Sequence, residues 1–493
     1  MKSESVDAVV VGSGPNGLAA AVTMARAGLS VQVLEAQPTV GGGARTLDLG
    51  LAPGLIHDIC SAVHPMALAS PFLREFDLRS RGVQLKVPEV SYAQPLSDGR
   101  AGLAWHDLEL TVDGLGVDGS AWRSLMAPLV QHSEVVVALA MGDKRSIPSE
   151  LLDGVGGIAG ALAFARALVE QGTRGWNRRF SDDVAPALLT GVAAHAIAPM
   201  PGIAPAGTAL LLGALAHAEG WPVPVGGSQA ITDALVRDLE ANGGQVVTDR
   251  PVTDYRELPR ARAYFLDTTP RAALGIWGER LPREVAKAFA TFKYGDAAAK
   301  VDFVLSGPVP WLADGVERAG TVHVGGTRAE MVAAEAAIAR GEHADRPMVL
   351  LSDPAMLDPG RIQDGLRPLW TYAHVPAGST RDVTEDVTAQ IERFAPGFRD
   401  VVVTSRCVPA AEMSHHNANY IGGDIASGAV NLYRMVARPR LSWDPYSVGI
   451  PGVYLCSAST LPGPGVHGLN GWFAAQRALR ARFGMTHMPS LAP

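Results

Sequence analysis

Residues 8 to 35 leave the chain little choice of fold. Ala8 to Val11 is a short, unbroken apolar run rich in valine, the pattern of a strand buried on both faces of a parallel sheet. It runs into Gly12-Ser13-Gly14-Pro15-Asn16-Gly17. The alanine-rich segment Leu18 to Ala27 then predicts a helix that stops at Gly28, and Val31 to Leu34 predicts a second strand closing on Glu35. Strand, glycine turn, helix, strand and acid, in that order, make a dinucleotide-binding unit. Gly12 permits the tight turn, Gly14 lets backbone approach a pyrophosphate, and Gly17 lets helix and strand pack closely. The helix start offers free N–H groups and a partial positive charge to phosphate, so Ser13, Pro15 and Asn16 join the candidate cradle. Glu35 lies eighteen residues beyond Gly17, where a carboxylate accepts hydrogen bonds from an adenosine ribose, with Ala36 beside it.

Composition narrows what the remaining chain can be. At 493 residues there is room for two or three domains with large cores, and 47% hydrophobic against 18% charged residues excludes a chain disordered throughout. The net charge of -7 gives no electrostatic case for nucleic acid. Cys60, Cys407 and Cys456 are far apart, so neither a disulfide scaffold, nor a redox dithiol, nor a metal-ligating Cys/His spacing is present; no metal is expected. Met1 to Ser5 leads straight into the first strand without an apolar secretory region, which makes a cytoplasmic location the expectation. The uncharged stretch Ile197 to Ala216 is broken by three prolines and built mostly of small residues. It reads as a buried helix or the wall of an apolar pocket, with peripheral membrane contact as the alternative.

Which dinucleotide is bound turns on the residues after Glu35. Val40-Gly41-Gly42-Gly43-Ala44-Arg45 is a second glycine cluster, and it resembles the FAD motif of the flavoprotein superfamily that includes amine oxidases and phytoene desaturases. A second close-approach segment suits the long extension of FAD beyond its pyrophosphate, and Arg45 is a candidate donor there, or a solvated loop cation. Near the far end, Pro451 to Cys456 predicts a buried strand, followed by Ser457-Ala458-Ser459-Thr460, the loop Pro462-Gly463-Pro464-Gly465-Val466-His467-Gly468-Leu469-Asn470-Gly471, and a helix from Trp472 to Arg482. With Asn419 to Ala429, Arg438-Pro439-Arg440 and Trp443, these segments resemble the phytoene desaturase-like group that contains the carotenoid isomerases, close to the pyridine nucleotide-disulphide oxidoreductase domain-containing protein 2 group. The resemblance implies Ser457 and Ala458 beside the ribityl chain and phosphate, and Gly468, Leu469 and Asn470 beside the flavin pyrimidine edge. It also matches the middle of the chain, the helix Gln229 to Ala241 and strand Gln245 to Thr248, to a second FAD segment in which Val252 packs against adenine. The fold class is therefore α/β: a Rossmann-like FAD-binding domain of the glutathione reductase/amine oxidase type, made of residues 1–70, 222–290 and 420–493, with an inserted α+β substrate domain of residues 71–221 and 291–419.

Candidates for chemistry are fewer. Gly295 to Leu305 alternates as a strand and is similar to the amine-oxidase strand whose lysine holds a water near flavin N5, which makes Lys300 a catalytic candidate against the reading of an exposed strand lysine. His467, inside the presumed flavin loop, is the second. His57, Asp58 and His64 follow the glycine cluster and read as pocket-mouth or core residues, and His415-His416 lacks partners for a metal. Gly154 to Gly160 mimics a nucleotide fingerprint but has no strand before it, so it predicts a small-residue helix packed on a neighbour and no NAD(P) domain. Together the expectation is an FAD-dependent oxidoreductase of desaturase or dehydrogenase type. It exchanges hydride or electrons between an apolar, polyene- or isoprenoid-like substrate and the flavin, with O2 or a quinone as acceptor. A redox-neutral isomerase, an amine-type oxidase and a non-catalytic flavin-bearing assembly protein are the alternatives.

Overall fold

The computed structural model describes residues 5–143, 145, 148–152 and 154–493; Met1 to Glu4, on which part of the targeting reading rests, lie outside the described residues. Two sheets organise it. The first has five parallel strands in the order 453–455, 263–266, 8–11, 31–34, 245–247. All four residues of Ala8–Val11 are buried, as a central parallel strand with neighbours on both sides requires. Helix Pro15–Arg26 starts earlier than the alanine run suggests, because Pro15 occupies the first turn, where its missing N–H costs nothing. It is sandwiched between helices Gln229–Ala241 and Leu469–Phe483, so the beginning, middle and end of the sequence share one core. Gly471 sits at the tightest point: a Cβ there would lie 1.7 Å from the Asn16 carbonyl oxygen.

The second sheet has seven strands in the order 402–408, 297–305, 367–375, 349–352, 319–324, 90–95, 101–105, antiparallel except where 319–324 runs parallel to 90–95. Its two faces differ sharply. Val301, Phe303, Val322, Val349, Leu351 and Ala373 point into an apolar cluster with Val387, Ile391 and Phe398. The alternate residues carry polar groups, and the register sets Lys300, Tyr372, Leu350 and His323 in one row across four strands. Helices Val184–Ala193 and Ile203–Ala218 cover that second face at strands 90–95 and 101–105, and residues 56–60 pack on it at Trp370 and Asp302.

Every strand of the parallel sheet falls within residues 1–70, 222–290 and 420–493, and every strand of the larger sheet within 71–221 and 291–419. The stretch after Ile197 contains the helix Ile203–Ala218, buried along nearly its whole length. Gly154 is followed by the helix Val155–Gln171, in which Gly160 packs on His132 with no room for a Cβ. Among the described residues no single helix is long and apolar enough to cross a membrane; Gly116–Gln131 and Ser133–Met141 reach that length and composition only as a pair bent by 75°.

Gly471→Ala should lower stability by about 2 kcal/mol or more, since neither the Asn16 carbonyl nor the helix beneath it can move aside. Gly275→Ala, on an exposed helix position with open space around it, should stabilise by up to about 1 kcal/mol. Urea denaturation midpoints compare the two.

Candidate functional site

One cavity of about 1200 Å³ runs from the glycine turn to the second face of the larger sheet. Single-ligand pockets usually measure about 300 to 1,000 Å³, so this one has room for two molecules in contact. At the first end Gly12 to Asn16, Glu35, Ala36, Gly42, Gly43, Ala44 and Val252 form the wall. At the middle the far-end segment contributes Ala458, Pro462 and Pro464 to His467. Both glycine-rich corners therefore face the same space.

The cradle is held by contacts between remote parts of the chain. The Gly17 N–H donates to Asp267 Oδ2 at 3.0 Å, and a Cβ on Gly14 would stand 2.5 Å from that same oxygen. A Cβ on Gly42 would lie 2.9 Å from the Gly14 Cα, so the two N-terminal glycine clusters interlock. Gly14 thus serves internal packing as well as ligand approach. With Pro15 lacking an N–H, Gly17 bound to Asp267 and Leu18 donating to the Gly14 carbonyl, the Asn16 N–H is the helix-start donor left for a ligand. The Asn16 Oδ1 is buried there without a partner. Glu35 accepts from the Ser13 N–H at 2.8 Å, from the Ser13 hydroxyl at 2.5 Å and from the Gln37 N–H at 2.8 Å. These bonds fix the carboxylate from one side and leave its remaining lone pairs for a ribose. Bare glycine backbone, a fixed carboxylate and an unpartnered amide oxygen fit a dinucleotide.

Sequence reasoning gave Asp267 no role. It is largely buried at the end of strand 263–266, where it lines the cavity, and desolvation, with a contribution from Glu35, pushes its carboxyl up to about 7. Its backbone carbonyl also accepts from the Asn419 amide at 2.9 Å, and the Asn419 Oδ1 accepts from the Thr269 N–H, which ties the 419 loop to the cradle. A short acid after a buried strand and before Thr-Thr-Pro was the available signal; nothing local says that it would face Gly17.

Several candidate residues stand behind the wall. The Arg45 guanidinium donates to the Gly42 carbonyl, Thr39 and the His416 carbonyl, so it braces the glycine segment. The Ser457 hydroxyl donates to the Thr268 carbonyl. Gly468 packs on Phe72 and Ala19, Leu469 is fully buried, and the Asn470 amide donates to carbonyls of Ser457, Thr460 and Leu461. The exposed face of that corner lies slightly earlier, at Pro464 to His467. His467 accepts from the Leu469 N–H at Nδ1, and burial pushes its imidazole down to about 4, so it is neutral. Lys300 is buried, paired with Asp302, and its Nζ lies 5.3 Å from the Trp370 ring centroid. Trp370 and Tyr372 line the cavity in front of it. His57 sits behind that pair, 3.6 Å from Asp302, and Asp58 is clamped by Arg361, Thr46 and Ser228. His64 does face the cavity, bonded to the Ser228 hydroxyl, and burial lowers its imidazole to about 4.

The substrate end is lined by Ile203, Gly207, Leu211 and Leu212 from one stripe of helix Ile203–Ala218, by Phe164 and Leu168, and by Trp221, Leu350, Trp370 and Tyr372. Among the described residues the charged ones on the wall are Glu35, Asp267 and Arg250 at the cradle, and Arg434 and Arg438. Arg438 is spent on the Ala458 and Ala426 carbonyls, and Arg434 on those of Ala437 and Pro439. Among the described residues no group of three His, Cys, Asp or Glu side chains converges as a metal site.

Comparison with known proteins agrees with this geometry. Residues 10–76 match the NAD(P)-binding Rossmann-like domain family. Across 96% of this chain and 93% of that protein, the sequence is 23% identical to the mouse (Mus musculus) pyridine nucleotide-disulfide oxidoreductase domain-containing protein 2. Here Cys60, Cys407 and Cys456 are all unpaired, so the disulfide in that name has no counterpart. Wild-type putrescine oxidase bound to putrescine superposes with a TM-score of 0.61 at 17% identity, covering 98% of this chain and all of that one. A conjugated-linoleic-acid-producing fatty acid isomerase from P. acnes gives 0.54 at 13% identity, with 96% and 98% covered.

Asp267→Asn keeps an acceptor for Gly17 but cannot ionise. Because the folded-state carboxyl titrates near 7 and the ordinary value is 3.8, the native protein holds a proton that the unfolded chain releases, and wild-type stability falls as pH rises through that window. The variant should lose less stability than wild type between about pH 4 and pH 7, measured as the difference in denaturation midpoints. The chain thus shares the fold of putrescine oxidase, with a Rossmann-like dinucleotide unit beside a second, larger sheet, and is similar to pyridine nucleotide-disulfide oxidoreductase domain-containing protein 2 along nearly its whole length.

Proposed function

We propose that this protein is an FAD-dependent oxidoreductase of the desaturase or dehydrogenase type, acting on an uncharged, apolar, isoprenoid- or polyene-like substrate. The observation that carries this reading is the division of the cavity: a dinucleotide cradle at one end, and at the other an apolar wall that carries no carboxylate among the described residues. A buried ammonium without a counter-charge costs several kcal/mol, which weighs against a diamine of the kind bound by putrescine oxidase. In this reading residues 1–70, 222–290 and 420–493 hold the cofactor and residues 71–221 and 291–419 hold the substrate.

Bound FAD supplies the acceptor for a hydride or electron pair, to be reoxidised by O2 or a quinone. The chain supplies placement. Glu35 takes the ribose, the Asn16 N–H faces phosphate, and Val252 edges the adenine. Ala458 and the backbone from Pro464 to His467 flank the flavin side, with the neutral His467 as a positioning group. Lys300, neutralised by Asp302 behind Trp370, fixes charge beneath the wall without touching the substrate. Leu211, Leu212, Trp221 and Leu350 exclude water from the reacting carbon. A redox-neutral isomerase is the second reading, favoured by the shared fold of the fatty acid isomerase.

The cavity opens beside exposed apolar side chains. Leu432 and Val436 line it and are still 61% and 62% exposed. Helix Val155–Gln171, which lines it through Phe164 and Leu168, turns Val155, Ile158, Leu162 and Val169 outward, with Arg166 as the one charged residue on that exposed face. A cytoplasmic protein that touches a lipid surface at this mouth, and draws its substrate from it, fits that distribution.

The purified protein reconstituted with FAD should be yellow and should bleach anaerobically with isoprenoid or polyene substrates but not with putrescine. A colourless product, or bleaching by amines alone, overturns the reading. Conversion of a substrate by pre-reduced protein with no net electron change selects the isomerase. Sedimentation with anionic phospholipid vesicles should fall about tenfold in an Ile158→Asp/Leu162→Asp variant.

A further inference from the structure

We propose that the substrate end of the cavity contains a binding site for a single neutral oxygen function, a hydroxyl or carbonyl, formed by His195 with His323 behind it. The substrate is then an oxygenated apolar molecule and not a pure hydrocarbon. This deepens the reading of an apolar substrate and rests on it.

His195 follows helix Val184–Ala193 in a short turn of 3-10 helix and lines the cavity beside Trp221, ring centroids 5.7 Å apart. Its Nε2 lies 2.8 Å from the Nε2 of His323, which is wholly buried on strand 319–324. Two ring nitrogens at that distance share one hydrogen: one ring donates and the other accepts. Each ring therefore has its remaining function fixed at Nδ1. The Nδ1 of His323 is buried without a partner, but that of His195 belongs to the ring on the cavity wall and has no bond within the described protein. His195 is thus set to make one directed hydrogen bond to whatever fills the space.

The charge of that site is settled by its surroundings. Tyr92, Trp221 and His323 pack around one another, with no carboxylate bonded to either imidazole. His374, the next histidine on the sheet, is occupied by Glu335. Burial pushes the His195 imidazole down to about 3 and that of His323 well below its ordinary value. A neutral pair offers no ion pairing to a carboxylate or an ammonium, but it satisfies a hydroxyl, or a carbonyl when His195 carries the hydrogen at Nδ1. The adjoining wall, Leu350, Leu211 and Leu212, gives the remaining part of the ligand only apolar contact. A hydrocarbon in this position would leave the His195 Nδ1 desolvated and unpaired, which selects against it.

The test is binding to the FAD-loaded protein and to the cofactor-free protein, read from tryptophan fluorescence, since Trp221 and Trp370 line the cavity. The probes are farnesol, farnesylacetone and the hydrocarbon farnesene. Wild type should bind at least one of the two oxygenated probes about tenfold more tightly than farnesene, and which of them it prefers reports the tautomer. His195→Phe should reduce that ratio to about one while farnesene affinity stays within about twofold, and His195→Asn, which restores a polar group near the Nδ1 position, should recover the preference. Equal affinity for all three probes in wild type, or an unchanged ratio in His195→Phe, overturns the proposal. Protein that stays colourless with FAD yet shows the oxygen preference would overturn the cofactor reading and leave this site standing.

Discussion

The contact on which the molecule turns is the meeting of the Asp267 carboxyl with the glycine corner of the first strand. One oxygen of that side chain accepts the Gly17 N–H and stands where a Cβ of Gly14 would be, while Gly42 closes on Gly14 from the other side. Three segments separated by dozens to hundreds of residues are held within van der Waals contact because none of these glycines has a side chain. The geometry leaves a strip of open backbone facing the cavity. It also places a largely buried carboxyl group, Asp267, beside a second acid, Glu35, at the edge of the cavity. The resulting pocket is anion-friendly through N–H groups and helix polarity, with Arg250 as the cation at the cradle end among the described residues.

The larger sheet solves a different problem. It must give a firm floor to a wide apolar space, and it does so by placing its apolar residues on the far side, against helix Thr384–Glu392, and its polar residues on the near side. Those polar groups each have a partner: Lys300 pairs with Asp302 on the same strand, His374 with Glu335 of helix Arg328–Ala339, and His323 with His195 of the helical insertion. Pairing keeps the floor electrically quiet while retaining atoms that can recognise a ligand, a combination a purely aliphatic floor lacks.

The dinucleotide unit was legible because each of its signals is local. A valine run, glycines at fixed offsets, an alanine helix and an acid can be read within thirty residues, and the helix Gln229–Ala241 and the strand at 245–247 follow from the same kind of pattern. The roles of single side chains were less legible. Arg45 looked like a ligand donor, but its three bonds reach Gly42, Thr39 and the carbonyl of His416, hundreds of residues away. Lys300 was visible as a strand residue, and its partner Asp302 two positions on was in plain view; what hid its role was Trp370, supplied by a neighbouring strand. Asn470 lies in the loop that reaches the cavity at Pro464 to His467 but on its inner side, where its amide donates to Ser457 and Thr460. The His195–His323 pair has no sequence signature, because it joins a helical insertion to a strand across the domain.

The parallel sheet draws its strands from residues 8–11, 31–34, 245–247, 263–266 and 453–455, and the helix that seals it ends at Phe483. During synthesis the glycine corner precedes the wall opposite it, which cannot be completed until strand 453–455 and helix Leu469–Phe483 have been made. Closing such distant ends is entropically demanding and slow. A dinucleotide that binds this cradle can be enclosed only after those distant segments have packed together, so binding it would stabilise the assembled state over the open chain.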